Sequence, residues 1–141
     1  MVTNVNFLNL VKAGTSNATL ITPPNGSLDH EAKKIAQAVR ARYNVALAII
    51  PGDQVLQQLP TQHAIALGCL ADNPFIESLY YRWNTLVDRW YPGTNGWVMQ
   101  LIPSPNQKDN HVLLLGGSDP QGVREATNRF IEQLQTNDTG Q

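Results

Sequence analysis

Hydrolysis of a glycoside by a carboxyl pair needs two acids roughly 5–9 Å apart. Between Asn73 and Trp90 the acids are Glu77 and Asp88, eleven residues apart. On one continuous helix that separation is about 16 Å at 1.5 Å per residue, so the pair fails. Ser118 has no base near it in the chain. His30, His63 and His111 are scattered, with no His-x-x-x-His and no flanking acid at ligand spacing. His30 precedes a predicted helix and the other two precede predicted strands, so each reads as an edge residue. A single cysteine, Cys69, excludes a disulfide framework and a cysteine-based zinc site. It follows an apolar run and reads as a small buried hydrophobe. No catalytic set, metal site or cofactor emerges from the residues.

Two other places can hold a ligand. The turn Gly116-Gly117-Ser118-Asp119-Pro120-Gln121-Gly122 joins an apolar run to a helix start, where bare backbone N–H groups can cradle phosphate. It matches neither Gly-x-Gly-x-x-Gly nor Gly-Lys-Ser/Thr. Asp119 also sits where the anion would go, and two like charges at a helix N-terminus oppose each other. The turn therefore reads as architecture, with Asp119 as cap. The second place is aromatic: of ten aromatic residues, six are Tyr80, Tyr81, Trp83, Trp90, Tyr91 and Trp97. Aromatic faces stack on the C–H faces of sugar rings, and the same residues anchor protein interfaces. Trp83 and Trp90 share a helical stripe with Leu79 and are assigned to the core, whereas Tyr81, Tyr91 and Trp97 are expected at the surface. Arg82 and Arg89, seven apart with Asp88 adjacent, form a solvated ion-pair face at the least. Tyr81, Arg82, Arg89, Tyr91 and Trp97 are the candidate glycan contacts.

The elements that must position these residues follow from periodicity. Ala18–Thr22 is a short β-branched run stopped by Pro23-Pro24-Asn25-Gly26. Ser27 or Asp29 can cap the next helix, whose Ala32, Ile35, Ala36, Val39 and Tyr43 make one stripe and whose Lys33, Lys34, Arg40 and Arg42 make the other face; Asn44 ends it. Val45–Ile50 is apolar throughout, as a strand covered on both faces is. Asp53 can cap a short helix through Leu59, and Ala64–Gly68 is a third strand. Asn73-Pro74 opens a helix that the spacing of Ile76, Leu79, Tyr80, Trp83, Val87 and Trp90 carries to about Trp90, or to Trp83 with fraying beyond. Tyr91–Gly96 is a loop. Trp97–Ile102 and His111–Leu115 are two strands whose connector is too short for a crossover helix, so they form an antiparallel hairpin. Asp119 and Pro120 open the last helix, with Val123, Thr127, Phe130 and Leu134 inward. The sum is an α/β sandwich on a mixed, partly parallel sheet, ending in a hairpin and a helix. Residues 18–135 form one domain, 1–17 a weakly patterned segment or edge strand around Val5-Phe7-Leu8, and 136–141 a frayed tail.

Composition limits the partners. The 141 residues suit one domain that needs no covalent staple. Lys+Arg 10 against Asp+Glu 11 leaves a charge of -1, which argues against nucleic acid. No apolar run approaches the ~20 residues of a membrane span, and Met1-Val2-Thr3-Asn4 does not open a signal peptide. Charged residues are 15%, against a typical ~25%, while 13 Asn and 11 Gln supply polarity as amides, which suit neutral hydroxylated ligands. Asn17-Ala18-Thr19, Asn25-Gly26-Ser27 and Asn137-Asp138-Thr139 are glycosylation acceptors if a eukaryote secretes the chain.

The helix Glu31-Ala32-Lys33-Lys34-Ile35-Ala36 after the first strand, and the run Val112-Leu113-Leu114-Leu115-Gly116-Gly117-Ser118-Asp119-Pro120-Gln121-Gly122-Val123 with Ala126 and Phe130, carry a resemblance. Over roughly residues 18–134 the chain resembles the small non-catalytic α/β domain that precedes the catalytic domain of β-hexosaminidases and α-glucuronidases. Leu79-Tyr80-Tyr81-Arg82-Trp83, Asp88-Arg89-Trp90-Tyr91-Pro92-Gly93 and Gly96-Trp97 resemble more particularly the N-terminal region of bacterial heparinase II/III-like polysaccharide lyases. The resemblance implies a mixed sheet with packed helices and an accessory role beside a catalytic domain or protein partner, in the periplasm or outside the cell. The helical toroid that carries catalysis in those lyases does not fit in 141 residues, so no catalytic residue transfers. The expected function is therefore a non-catalytic accessory module with polysaccharide contact. The alternatives are a flavodoxin-like binder of nucleotide or phosphate at Gly116–Gly122 and a protein-interaction domain.

Overall fold

The computed structural model describes residues 11–12, 15–16, 18–55, 63–81, 85, 87–88, 90–103 and 111–136. In chain order the elements are β1 (Val11–Lys12), β2 (Thr15–Ser16), β3 (Ala18–Thr22), α1 (Asp29–Tyr43), β4 (Ala48–Pro51), α2 (Gly52–Val55), β5 (His63–Gly68), α3 (Pro74–Tyr81), β6 (Val98–Pro103), β7 (His111–Gly116) and α4 (Pro120–Thr136). Five strands form one sheet in the order β4-β3-β5-β7-β6. The first four in that order are parallel, and β6 runs antiparallel to β7. The α/β class and the C-terminal hairpin are those the periodicity predicts. β1 and β2 pair separately; of the expected frayed tail 136–141, Thr136 instead ends α4, while 137–141 and the expected strand around Val5-Phe7-Leu8 lie outside the described residues.

Alternation along the strands divides the interior into two layers. Leu20, Ile65, Leu67, Leu113, Leu115 and Met99 point to the side covered by α1 and α4, which contribute Ala32, Ile35, Val39, Val123, Ala126, Phe130 and Leu134. Ile21, Ala64, Ala66, Val112, Leu114, Val98 and Ile102 point to the side covered by α3, with Phe75, Ile76 and Leu79. Each large apolar side chain so buried contributes about 1.5–3 kcal/mol. Polar contacts fix α1 against α4. Arg124 Nε lies 3.2 Å from the buried Glu31 carboxylate, Lys34 Nζ donates to Asn128 Oδ1 at 2.9 Å, and Arg42 Nε donates to the Leu134 carbonyl at 3.3 Å.

Four boundaries differ from expectation. Neither Ser27 nor Asp29 caps α1: Leu28 holds the cap position, Ser27 N–H donates to Asn25 Oδ1, and Asp29 is already helical. Its far end is as expected, with Asn44 left-handed at φ 60. The run 45–50 yields a strand only from Ala48, at the sheet edge rather than covered on both faces, so Ile49 is exposed. α2 is described over Gly52–Val55, with Asp53 inside it rather than capping; residues 56–59, to which the expected helix extends, lie outside the described residues. The helix does not run to Trp90: α3 is described over Pro74–Tyr81, residues 82–84 lie outside the described residues, and Thr85 and Val87 are no longer helical. Val87 is buried beside β7 and its carbonyl accepts the Leu70 N–H, while Asp88 folds a turn on itself. Such tertiary contacts override a helical period.

One buried side chain joins three elements. Asn73 is fully buried; its Nδ2 donates to the carbonyls of Ile21 (3.3 Å) at the end of β3 and Leu67 (2.8 Å) at the end of β5. Its Oδ1 accepts the Phe75 N–H at 3.0 Å, capping α3 behind Pro74. Gly52 packs so closely that a Cβ there would strike Asn73 Oδ1. Asn73→Ala leaves buried groups unpaired and is expected to cost about 3 kcal/mol in urea unfolding. Gly52→Ala is expected to cost about 1–3 kcal/mol alone through overpacking. In the Asn73→Ala background Gly52→Ala should cost clearly less, since the atom it strikes is gone and only the Phe75 nitrogen at 3.2 Å stays close; additive losses would refute the contact.

Candidate functional site

In an open α/β sheet, ligands bind outside the carboxyl ends of the strands, where the strand order reverses. Here that reversal lies between β3 and β5, because the chain leaves β3 for β4 on one side and returns to β5 on the other. The next junction along, between β5 and β7, is sealed. Gly117 N–H donates to the Gly68 carbonyl, and the Val87 side chain lies over Gly116, where a Cβ would come within 3.0 Å of it. At the β3/β5 junction a cleft of about 420 Å³ remains open between Pro24 and Asn25 on one side and residues 70–74 with Glu77 on the other.

Asp72 anchors the wall of this cleft. Its Oδ1 accepts the Cys69 N–H at 2.7 Å, and a Cβ on Gly68 (φ +115) would strike the same oxygen. Burial pushes the Asp72 carboxyl above the ordinary carboxylate range. Burial and the neighbouring Asp72 charge push the Cys69 thiol up as well, so this buried cysteine is a poor nucleophile.

The Gly116–Gly122 turn faces chain rather than solvent. Ser118 Oγ accepts the Gly93 N–H at 3.0 Å; Asp119 Oδ2 accepts the Asn95 N–H at 3.0 Å, and its Oδ1 accepts the Gly122 N–H at 2.8 Å. Gly122 is so close to the Gly96 carbonyl that a Cβ would strike it. Gly116, Gly117, Ser118, Asp119, Pro120 and Gly122 thus hold the 93–96 segment and start α4. The N–H groups of Gly117, Gly122 and Val123 are engaged within the chain, and the Asp119 carboxylate stays below its ordinary range because Asn95 and Gly122 donate to it.

A second Asp-centred turn displays the aromatic residues. Asp88 Oδ1 accepts the N–H groups of Trp90 (2.9 Å) and Tyr91 (2.8 Å), its own N–H donates to the Tyr91 carbonyl, and Tyr80 donates its hydroxyl to Asp88 Oδ2 at 3.2 Å. Burial raises the Asp88 carboxyl, but these donors outweigh it and hold it below the ordinary range. The Tyr80 ring meets Tyr81 edge-to-face at 5.9 Å. Trp90, expected in the core, is 81% exposed; Tyr81 is 71% exposed and Tyr91 44%, so these two are where the sequence placed them. Trp97 is half-buried on the α1/α4 side with the Arg129 guanidinium 5.8 Å over its ring. The aromatic residues therefore do not make one platform: Trp97 packs on one face of the sheet, and Tyr80 and Tyr81 ride on α3 across the other. Arg82, Trp83 and Arg89 lie outside the described residues.

The strand-start histidines meet at the opposite end of the sheet. His63 Nδ1 accepts the His111 N–H at 2.9 Å and the rings pack at 5.3 Å. Sequence separation hid this pairing, which the parallel β5/β7 register creates. Among the described residues no three His, Cys, Asp or Glu side chains gather to hold a metal ion, and no helix is long and apolar enough to cross a membrane. No protein-family model matches the chain, and a search of curated proteins finds no match either.

The two depressed carboxylates set an acid limit on these turns. Their stabilisation is present above the unfolded carboxyl value of about 3.9 and is lost as pH falls through the lower folded values. Amide exchange protection at Trp90, Tyr91, Asn95 and Gly122 is expected to disappear in that window. Asp119→Asn should make Asn95 and Gly122 insensitive to it while Trp90 and Tyr91 still respond.

Proposed function

We propose that this chain is a non-catalytic accessory module of a carbohydrate-processing protein, meeting glycan at an exposed aromatic edge and serving a neighbouring catalytic domain or partner. The observation that carries the reading is the Asp88 turn. It fixes the backbone of Trp90 and Tyr91 and leaves their large side chains exposed near Tyr80, whose hydroxyl donates to the same carboxylate. Exposed aromatic faces suit the C–H faces of sugar rings. The amide-rich, nearly neutral composition suits hydroxylated ligands better than polyanions. The acids Asp72, Asp88 and Asp119 each bind backbone N–H groups and so shape loops. The resemblance to carbohydrate-enzyme accessory domains points the same way.

Calorimetric titration with a panel of neutral and acidic polysaccharides tests this. At least one should give saturable heat, and Trp90→Ala should weaken it about tenfold, on the order of 1.4 kcal/mol. The substitution should change stability by less than about 0.5 kcal/mol, as exposed positions do. No heat at millimolar ligand would remove the glycan contact.

A further inference from the structure

The cleft between β3 and β5 has a chemistry of its own, distinct from the aromatic edge. Most of the backbone donors at the start of α3 are already committed. Leu70 N–H donates to the Val87 carbonyl, Asp72 and Asn73 N–H both donate to the Cys69 carbonyl, and Phe75 N–H donates to Asn73 Oδ1. Pro24 and Pro74 have no N–H to offer. What the lining adds is two carboxyl groups, Asp72 and Glu77, the amide of Asn25, and no cationic side chain. An anion at the start of α3 would meet a missing donor, an engaged donor and two acids. A metal ion would lack a third ligating side chain, since no such group forms among the described residues. An ammonium group supplies what is lacking: three donors and a positive charge.

We infer that this cleft binds a small ammonium-bearing molecule, with Glu77 and Asp72 as its counter-charges and Asn25 facing its neutral polar part. About 420 Å³ is within the usual range for small-molecule sites. Pro24, Leu70 and Pro74 form its walls, on which the carbon skeleton of such a ligand lies. Because burial raises the Asp72 carboxyl, a bound ammonium draws it back toward the charged form. Binding therefore strengthens as pH rises through the Asp72 value and weakens in acid.

Glucosamine, N-acetylglucosamine and glucose differ at the amine and test the claim directly by calorimetry on the full chain. Glucosamine should bind saturably; acetylation or removal of the amine should weaken binding at least tenfold. Glu77 is exposed, so Glu77→Gln keeps the fold and should weaken glucosamine binding at least fivefold. Equal binding of all three sugars, no saturable binding of glucosamine, or an unchanged affinity in Glu77→Gln would overturn it. Glucosamine binding that survives Trp90→Ala and weakens in Glu77→Gln places the amine in the cleft. Binding that is lost in Trp90→Ala and unchanged in Glu77→Gln assigns it to the aromatic edge and refutes the cleft.

Discussion

The side-chain amide of Asn73 is the point on which the architecture closes. A parallel sheet leaves the last carbonyls of its strands without ladder partners, and in a buried position each needs a donor. One amide serves two of them, on strands that are neighbours in space but far apart in sequence, and its oxygen starts the helix that covers them. The requirement then spreads outward. Position 52 must be glycine for the amide to fit, and with α3 begun there, Phe75, Ile76 and Leu79 reach the small Ala64 and Ala66 faces of β5. Because the amide is consumed internally, the space beside it at the β3/β5 reversal is left to Asp72, Glu77 and Asn25.

The same economy of carboxylates shapes the rest of the carboxyl-end rim. Asp72, Asp88 and Asp119 each fold the chain by accepting backbone N–H groups two to four residues away or across a loop. Aspartate does this well because its short side chain reaches local N–H groups without a turn of its own. The Asp119 turn holds Asn95 at the start of α4, the Asp88 turn ties Trp90 and Tyr91 to Tyr80 on α3, and Val87 over Gly116 closes one junction of the sheet, which leaves Trp90 in solvent. One end of the sheet thus carries a closed junction, an open cleft and an aromatic edge. The other carries a histidine pair.

What could be read from residue order was whatever depends on local period. The stripe 32-35-39 on α1, the stripe 123-127-130-134 on α4, the Asn73-Pro74 start and the short 104–110 connector each determine an element within a few residues. The same spacing also places Glu31 four residues before Ile35, on the inward stripe, where the structure buries it against Arg124. What escaped depended on neighbours remote in sequence. The edge position of β4 follows from strand order, which a hydrophobic run does not encode. The loss of helix by Thr85 and the exposure of Trp90 go with Val87 and Asp88 taking distant or non-helical partners, against a stripe that continues to Trp90. Asp88 two residues before Trp90 and three before Tyr91, with Pro92 next, was the turn signal that outweighed that stripe. The cleft was invisible because its two walls lie some fifty residues apart.

The placement of β7 between a hairpin partner and a parallel one has a kinetic meaning. Its pairing with β6 needs closure of only the 104–110 connector, whereas Gly116 meets Gly68 across the whole stretch that includes α3 and the aromatic loop. Chain entropy disfavours the longer closure, and helices and hairpins form on microsecond scales. The hairpin and α4 can therefore assemble as a local C-terminal unit, whereas the β5/β7 pairing requires the longer closure.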